Sequence, residues 1–361
     1  MSPLPSVVIG AVIAVMLMAS SPGPARAGDD LAARVQALLP ESPGACVFVY
    51  DRGALVFQHA YGLADVDGDV PCTPQTNFRM ASVSKQFTAL AALMLVDRGK
   101  LSLDDTLAKF FPGYPEYGAR VTIRHLLTHT SGVPDYEELI PAGTTLQLGD
   151  LDIVQMLLDA PEPLFPAGQR WQYSNSAYVL LGQIVEIAAQ RPYHDWMAAE
   201  VFAPLGMTGA CIFQRGLNEV SHRAYGHRRE AEGRWVRHDQ SVTSATRGDG
   251  CVYTSLEDYA KWLAGLRDNR LLSDASWRAM FSPQEKTTRD GAHYGFGWFI
   301  DQFAGTRRIY HNGDSRGFRL TAQTFPDRQA AVLVQLNADV DANMTEVGER
   351  VARLLIFDRS E

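Results

Sequence analysis

The sequence predicts an α+β fold: an antiparallel sheet formed by both chain ends, flanked by helices, with a mostly helical insertion between the two sets of strands. Three observations predict it. Apolar, β-branched runs occupy residues 46–57, helix-period patterns dominate residues 84–270, and strand character returns near residue 295 before one closing amphipathic segment. With 361 residues, 46% of them hydrophobic and 20% charged, the chain can bury a sizeable core, which excludes a disordered chain.

Taken in order, residues 7–19 are an apolar and small-residue run. Ser20-Ser21-Pro22-Gly23-Pro24 and then Ala25-Arg26-Ala27, an A-x-A cleavage pattern, follow it. This reads as a secretory signal peptide over residues 1–27, cut after Ala27, leaving residues 28–361 as one periplasmic or secreted domain with no stable membrane span. Thirteen residues are short for a bilayer crossing; an uncleaved anchor is the other reading of the run. Residues 29–39 follow as a short amphipathic helix. Residues 46–50 and 54–57, separated by Asp51-Arg52-Gly53, have the pattern of a β-hairpin. Residues 84–98 place Phe87, Leu90, Ala91, Met94 and Leu95 on one helical face, with Gly99 as the stop.

Further helices are expected at residues 122–127 behind a Thr122 cap, 153–158, 177–189, and 256–266 behind Ser255. Residues 295–300, 308–310, 318–325 and 330–336 are rich in aromatic and β-branched residues and read as strands. Residues 344–355 close the chain as a helix.

A net charge of −8 without a Lys/Arg block gives no footprint for nucleic acid. Cys46, Cys72, Cys211 and Cys251 lie far apart, with no C-x-x-C for a redox pair or zinc. As disulfides they would allow three pairings, and Cys46, in an apolar run, reads equally well as a buried thiol. Cys251 reads first as a packing residue near a cleft mouth. His125 and His129 are four apart but have no Glu between them in an H-E-x-x-H frame, so no metal is expected there.

Three short segments carry chemistry. In Ser82-Val83-Ser84-Lys85 a serine and a lysine share one helical face, so an amine could take the hydroxyl proton while the helix start stabilises an oxyanion. Alone the segment says little, because about one S-x-x-K is expected by chance in such a chain and a capped helix explains it. Tyr173-Ser174-Asn175 precedes the strongest helix. Beside a lysine ammonium the Tyr173 phenolate would be favoured, making it a candidate general base and acid, and Asn175 can both donate and accept; core packing and helix capping are the bland alternatives. His311-Asn312-Gly313 lies on the last strands. An edge strand there could bind substrate backbone, Gly313 would allow close approach, and the Asp314 N–H would be a second oxyanion donor beside that of Ser82.

Together and in this order, the three segments resemble the motifs of serine β-lactamases and penicillin-binding proteins. More narrowly, the chain is similar to the class C β-lactamase-related group, which includes esterases, D-aminopeptidases and D,D-carboxypeptidases. Phe78-Arg79-Met80-Ala81, Arg124-His125-Leu126-Leu127-Thr128-His129-Thr130-Ser131-Gly132, Pro204-Leu205-Gly206-Met207 and Tyr294-Gly295-Phe296-Gly297-Trp298 extend the match. The resemblance implies a beta-lactamase/transpeptidase-like fold and an acyl-enzyme on Ser82, with Lys85 sharing its proton. It further implies that Tyr173 protonates the leaving group and activates the deacylating water, that Asn175 holds the substrate, and that no metal or organic cofactor takes part. The substrate would be a small ester, amide or peptide, D-amino acid peptides among them; a β-lactamase, or a non-catalytic peptidoglycan- or peptide-binding relative, is the alternative. His311 departs from the pattern. The β-lactamases proper carry a lysine there, and histidine keeps a hydrogen bond to Tyr173 possible without a permanent charge, which Arg316 or Arg319 would have to supply.

Overall fold

The computed structural model describes residues 27–358; residues 1–26 of the expected leader lie outside the described residues. Nine strands form one sheet in the order Val70–Pro71, Ala54–Asp65, Gly44–Asp51, Ala330–Leu336, Phe318–Phe325, Thr306–Ser315, Phe299–Phe303, His293–Tyr294, Glu285–Lys286. Neighbours are antiparallel throughout. The two chain ends meet at the middle of the sheet, where Ala45 faces Leu336 and Tyr50 faces Ala331.

Both faces of this sheet are covered, which explains why its central strands are apolar without alternation. Along Gly44–Asp51, Cys46 and Phe48 point into the core shared with the helical insertion. Ala45, Val47 and Val49 point into a second core shared with Val35 of helix Ala27–Gln36 and Val347 and Val351 of helix Met344–Ala352. The outcome is three layers, with the inserted helices on one side and the terminal helices on the other.

Helix Lys85–Asp97 departs from the amphipathic expectation: every residue from Lys85 to Leu95 is buried. It runs through the middle of the larger core, where Phe87 stacks on Trp262 at 4.0 Å. Its start also differs, because residues Ala81–Ser84 form a 3₁₀ turn and the α-helix proper begins at Lys85. Helix Asn175–Ala189 is capped by Ser174, whose hydroxyl accepts from the Ala177 N–H at 3.1 Å. Helices Ile123–Leu127, Asp150–Leu158 and Leu256–Arg267 lie close to their expected places.

The strand expected at residues 295–300 is instead split into His293–Tyr294 and Phe299–Phe303. Gly297 turns the chain between them at φ +83°, and a Cβ there would lie 2.8 Å from the Lys85 carbonyl oxygen. Conversely, the short strand expected at residues 308–310 extends over Thr306–Ser315 and takes in the His311 motif. All four cysteines are free thiols; Cys251 is buried and donates to the Phe213 carbonyl at 2.9 Å, a packing role. Among the described residues no helix is long and apolar enough to cross a membrane.

Candidate active site

Ser82 sits half-buried in the 3₁₀ turn, held where the turn is tied to strand Val252–Thr254. The Met80 N–H donates to the Val252 carbonyl at 2.8 Å, and the Val252 N–H donates to Ser84 Oγ at 3.0 Å. Ala81, just before Ser82, has φ +44°, a left-handed conformation that costs energy in a residue with a Cβ. One turn on, Lys85 is fully buried. Its Nζ donates to Ser82 Oγ at 3.1 Å, to Asn175 Oδ1 at 2.9 Å and to the Asp249 carbonyl at 3.0 Å. Three acceptors match the three N–H bonds of an ammonium.

Tyr173 closes over this amine, its ring centre 4.9 Å from Lys85 Nζ. Its hydroxyl oxygen is buried and has no hydrogen-bond partner among the described residues, an arrangement that costs stability unless another group supplies the missing bond. Asn175 is engaged at both ends: Oδ1 takes the lysine, and Nδ2 donates to Glu137 Oε1 at 3.1 Å, with Glu137 itself exposed.

His311 lies 6.1 Å from Tyr173, ring centre to ring centre, but the hydrogen bond expected between them is not made. Its Nδ1 is 2.6 Å from the Asn312 carbonyl, which can only accept, so Nδ1 carries the hydrogen. Nε2 therefore accepts from the Tyr294 hydroxyl at 3.2 Å. Burial, aided by the charge of Lys85, pushes the imidazole down to about 3, so it is neutral. Arg319 does not supply the missing charge, because it is committed to Asp314 at 2.8 Å and Asp339 at 3.1 Å; Arg316 reaches only the Gln240 carbonyl at 3.4 Å.

Gly313 also has a different reason from the one expected. A Cβ there would lie 2.6 Å from the Met80 carbonyl oxygen, so its bareness lets the strand close on the Ser82 turn. Thr306 to Tyr310 pair with Phe299–Phe303, and Ile309 to Ser315 pair with Phe318–Phe325. From His311 to Ser315 it has run past Phe299–Phe303, which leaves the main chain around Asp314 as an edge.

Sequence reasoning missed three groups around this site. Asp249 is buried, with Oδ1 lacking a partner among the described residues and Oδ2 accepting from the Tyr136 hydroxyl at 3.4 Å; burial, offset in part by Lys85, pushes its carboxyl up to about 6. Glu137, exposed in the first turn of helix Tyr136–Leu139, carries no sequence signal of its own. His129 reads from the sequence as half of a metal spacing and as part of the Arg124–Gly132 match, with no role of its own; its Nδ1 accepts from the Ser174 N–H at 3.1 Å, and His125 Nδ1 takes the Thr122 N–H at 3.2 Å. The glycines beside Asp249 were the one available signal: a Cβ on Gly248 would lie 2.2 Å from the Tyr178 carbonyl oxygen, a mark of tight packing there.

The sequence profile described as beta-lactamase matches residues 31–355, nearly the whole described chain. The chain belongs to the beta-lactamase family. Within the family it is 30% identical over 325 residues to a penicillin-binding protein of Bacillus subtilis (strain 168), covering 86% of this chain and 72% of that one. It is 28% identical over 312 residues to the D-aminopeptidase of Brucella canis, covering 84% of this chain and 58% of the length of that enzyme. Among solved structures, the octameric penicillin-binding protein homologue from Pyrococcus abyssi superposes with a TM-score of 0.80 at 26% identity, over 91% of this chain and 76% of that one. The D-amino acid amidase from Ochrobactrum anthropi SV3 has the same fold, with a TM-score of 0.78 at 24% identity over 91% and 100% of the two chains.

Proposed function

We propose that this beta-lactamase-family chain is a serine hydrolase that forms an acyl-enzyme on Ser82 and acts on amides, esters or short peptides of D-amino acids. The observation that carries the reading is the buried Lys85 amine 3.1 Å from Ser82 Oγ, with the Tyr173 ring over it and the Tyr173 hydroxyl buried without a partner among the described residues. The reactive form of the Lys85–Tyr173 pair holds one proton fewer than an ammonium beside a phenol, so as Ser82 Oγ attacks the substrate carbonyl carbon its proton passes to that pair. The Ser82 and Asp314 N–H groups bind the oxyanion. As the C–N or C–O bond breaks, Tyr173 gives the leaving group a proton. It then takes one from the water that attacks the ester carbonyl, which returns the acid and a free Ser82.

For the substrate class, the relatives include a D-aminopeptidase and, by fold, a D-amino acid amidase. The site has a neutral His311 in place of a fixed cation and an exposed Glu137 carboxylate bonded to Asn175. This pattern suits a substrate ammonium better than the carboxylate of a β-lactam.

Intact-mass spectrometry with a fluorophosphonate probe should show one label on the wild type and none on Ser82→Ala, with kcat/KM of the variant down by at least about 10³-fold. Tyr173→Phe should cost about 10²–10⁴-fold. Turnover of a D-amino acid p-nitroanilide, p-nitrophenyl acetate and nitrocefin should rank in that order. Nitrocefin first would make the chain a β-lactamase, and a folded protein that takes no label and turns over nothing would be a binding relative.

A further inference from the structure

His129 is fully buried in the described structure and has φ +60°, a left-handed backbone that a side-chain-bearing residue adopts only at a cost. It touches the Tyr173 segment from two directions. Its carbonyl accepts from the Gln172 N–H at 2.9 Å, and its ring Nδ1 accepts from the Ser174 N–H at 3.1 Å. The backbone N–H on each side of Tyr173 therefore ends on one residue. Its ring also packs against the Tyr173 ring, 4.4 Å between centres, and against Tyr294 at 4.6 Å and Tyr178 at 5.1 Å.

We propose that His129 is the positioning residue that holds Tyr173 over Lys85, bracketing the tyrosine through the hydrogen bonds on either side of it. The proposal rests on the reading that Tyr173 carries protons in the reaction. The left-handed turn has a geometric purpose: it aims a carbonyl and a side-chain acceptor of the same residue at two N–H groups two residues apart.

The bracket requires a neutral ring. Because Nδ1 accepts, the ring hydrogen is on Nε2, which has no partner among the described residues. A second proton would have to go on Nδ1, displacing the Ser174 N–H. The groups facing the ring are Lys85, His311, Tyr173, Tyr178 and Tyr294. Burial first, then the nearby Lys85, pushes His129 well below the ordinary histidine value, so the ring stays neutral and the bracket persists.

The test compares His129→Asn with His129→Gly. Both residues tolerate the left-handed backbone and both lose the ring, so packing losses largely cancel; Asn keeps an acceptor near the Nδ1 position and Gly does not. Turnover of p-nitrophenyl acetate by His129→Gly should show kcat lower by about 10–100-fold with KM changed less than about twofold. His129→Asn should recover to within about threefold of wild type. In a Tyr173→Phe background the same His129→Gly change should cost less than about twofold, because the group it positions is gone. Equal losses in both backgrounds, or Asn no better than Gly, would overturn the proposal and leave the role of Tyr173 standing. Wild-type turnover by Tyr173→Phe alone would overturn that role, and the proposal with it.

Discussion

At the scale of single residues, the site is a set of buried polar groups whose environments differ. Lys85 is buried with three acceptors around its amine, so its charge is hydrogen-bonded on every side. Asp249 is treated less well: Oδ1 has no partner among the described residues, and its carboxyl is pushed up to about 6 by burial despite Lys85 nearby. The sign follows from linkage. From about pH 4, where an unfolded aspartate ionises, up to about pH 6, the native state keeps a proton that the unfolded chain has lost, so this group's contribution to stability falls as pH rises through that window. Asp249→Asn removes the cost of the buried charge and can still accept from Tyr136. It is expected to stabilise the protein by about 1–3 kcal/mol at pH 8 and by almost nothing at pH 3.5, read from denaturant melts at the two pH values. A variant less stable than wild type at pH 8 would show that the carboxylate is favourably held.

At the scale of elements, the proposed catalysis depends on how closely four pieces approach: the Ser82 turn, the end of strand Thr306–Ser315, the start of helix Asn175–Ala189 and the Asp249 segment. Glycines set two of these approaches. Gly313 brings the strand against the Met80 carbonyl, and Gly248 brings the Asp249 segment against Tyr178 of the helix. Gly313→Ala would put a methyl 2.6 Å from a backbone oxygen that cannot rotate away, so strand and turn must part. The expected outcome is a loss of about 1–3 kcal/mol in stability, with a larger proportional loss in kcat/KM, since Ser82 shifts against the Asp314 N–H. Thermal melting and steady-state kinetics on the same preparation would check this. Wild-type turnover with only a lowered melting point would show that the oxyanion site does not need this contact.

At the scale of the whole molecule, the central sheet is sandwiched between the helical insertion and the terminal helices, and the site lies where sheet and insertion meet. That dry location holds two histidines neutral. His129 and His311 are both pushed down by burial, His311 to about 3. Below the ordinary histidine value of about 6.5, the unfolded chain binds protons that the native state refuses, so stability drops as pH falls, by about 1.4 kcal/mol per pH unit for each ring. Asp249 opposes this between about pH 6 and 4, so these three groups together contribute a net decline of roughly one proton in that interval. Denaturant melts from pH 7 to 4 should show that decline, shallow near pH 7 and reaching its full slope below about pH 6, and His129→Asn should flatten it by about one proton. A pH-independent midpoint in the wild type would contradict neutral burial of the rings.

The sheet from both ends, the inserted helices and the Ser82–Lys85 pair are legible along the chain, because each depends on local spacing: period two in strands, period 3.6 in helices, and a shared face for residues three apart. The sequence also marked Tyr173, Asn175 and His311 as candidates, though not what each would touch. Only the tertiary structure decided that Lys85 meets Asn175, 90 residues on, and the carbonyl of Asp249, 164 residues on. It also decided that His311 bonds Tyr294 rather than Tyr173, that Gly313 serves the chain's own contact, and that His129 holds both neighbours of Tyr173. The same holds for helix Lys85–Asp97, whose apolar stripe was readable while its burial on every side was not. The physical reason is common to all of these: spacing along the chain sets which way a side chain points, but its hydrogen-bond partner and burial depend on segments distant in sequence that packing brings within about 3 Å.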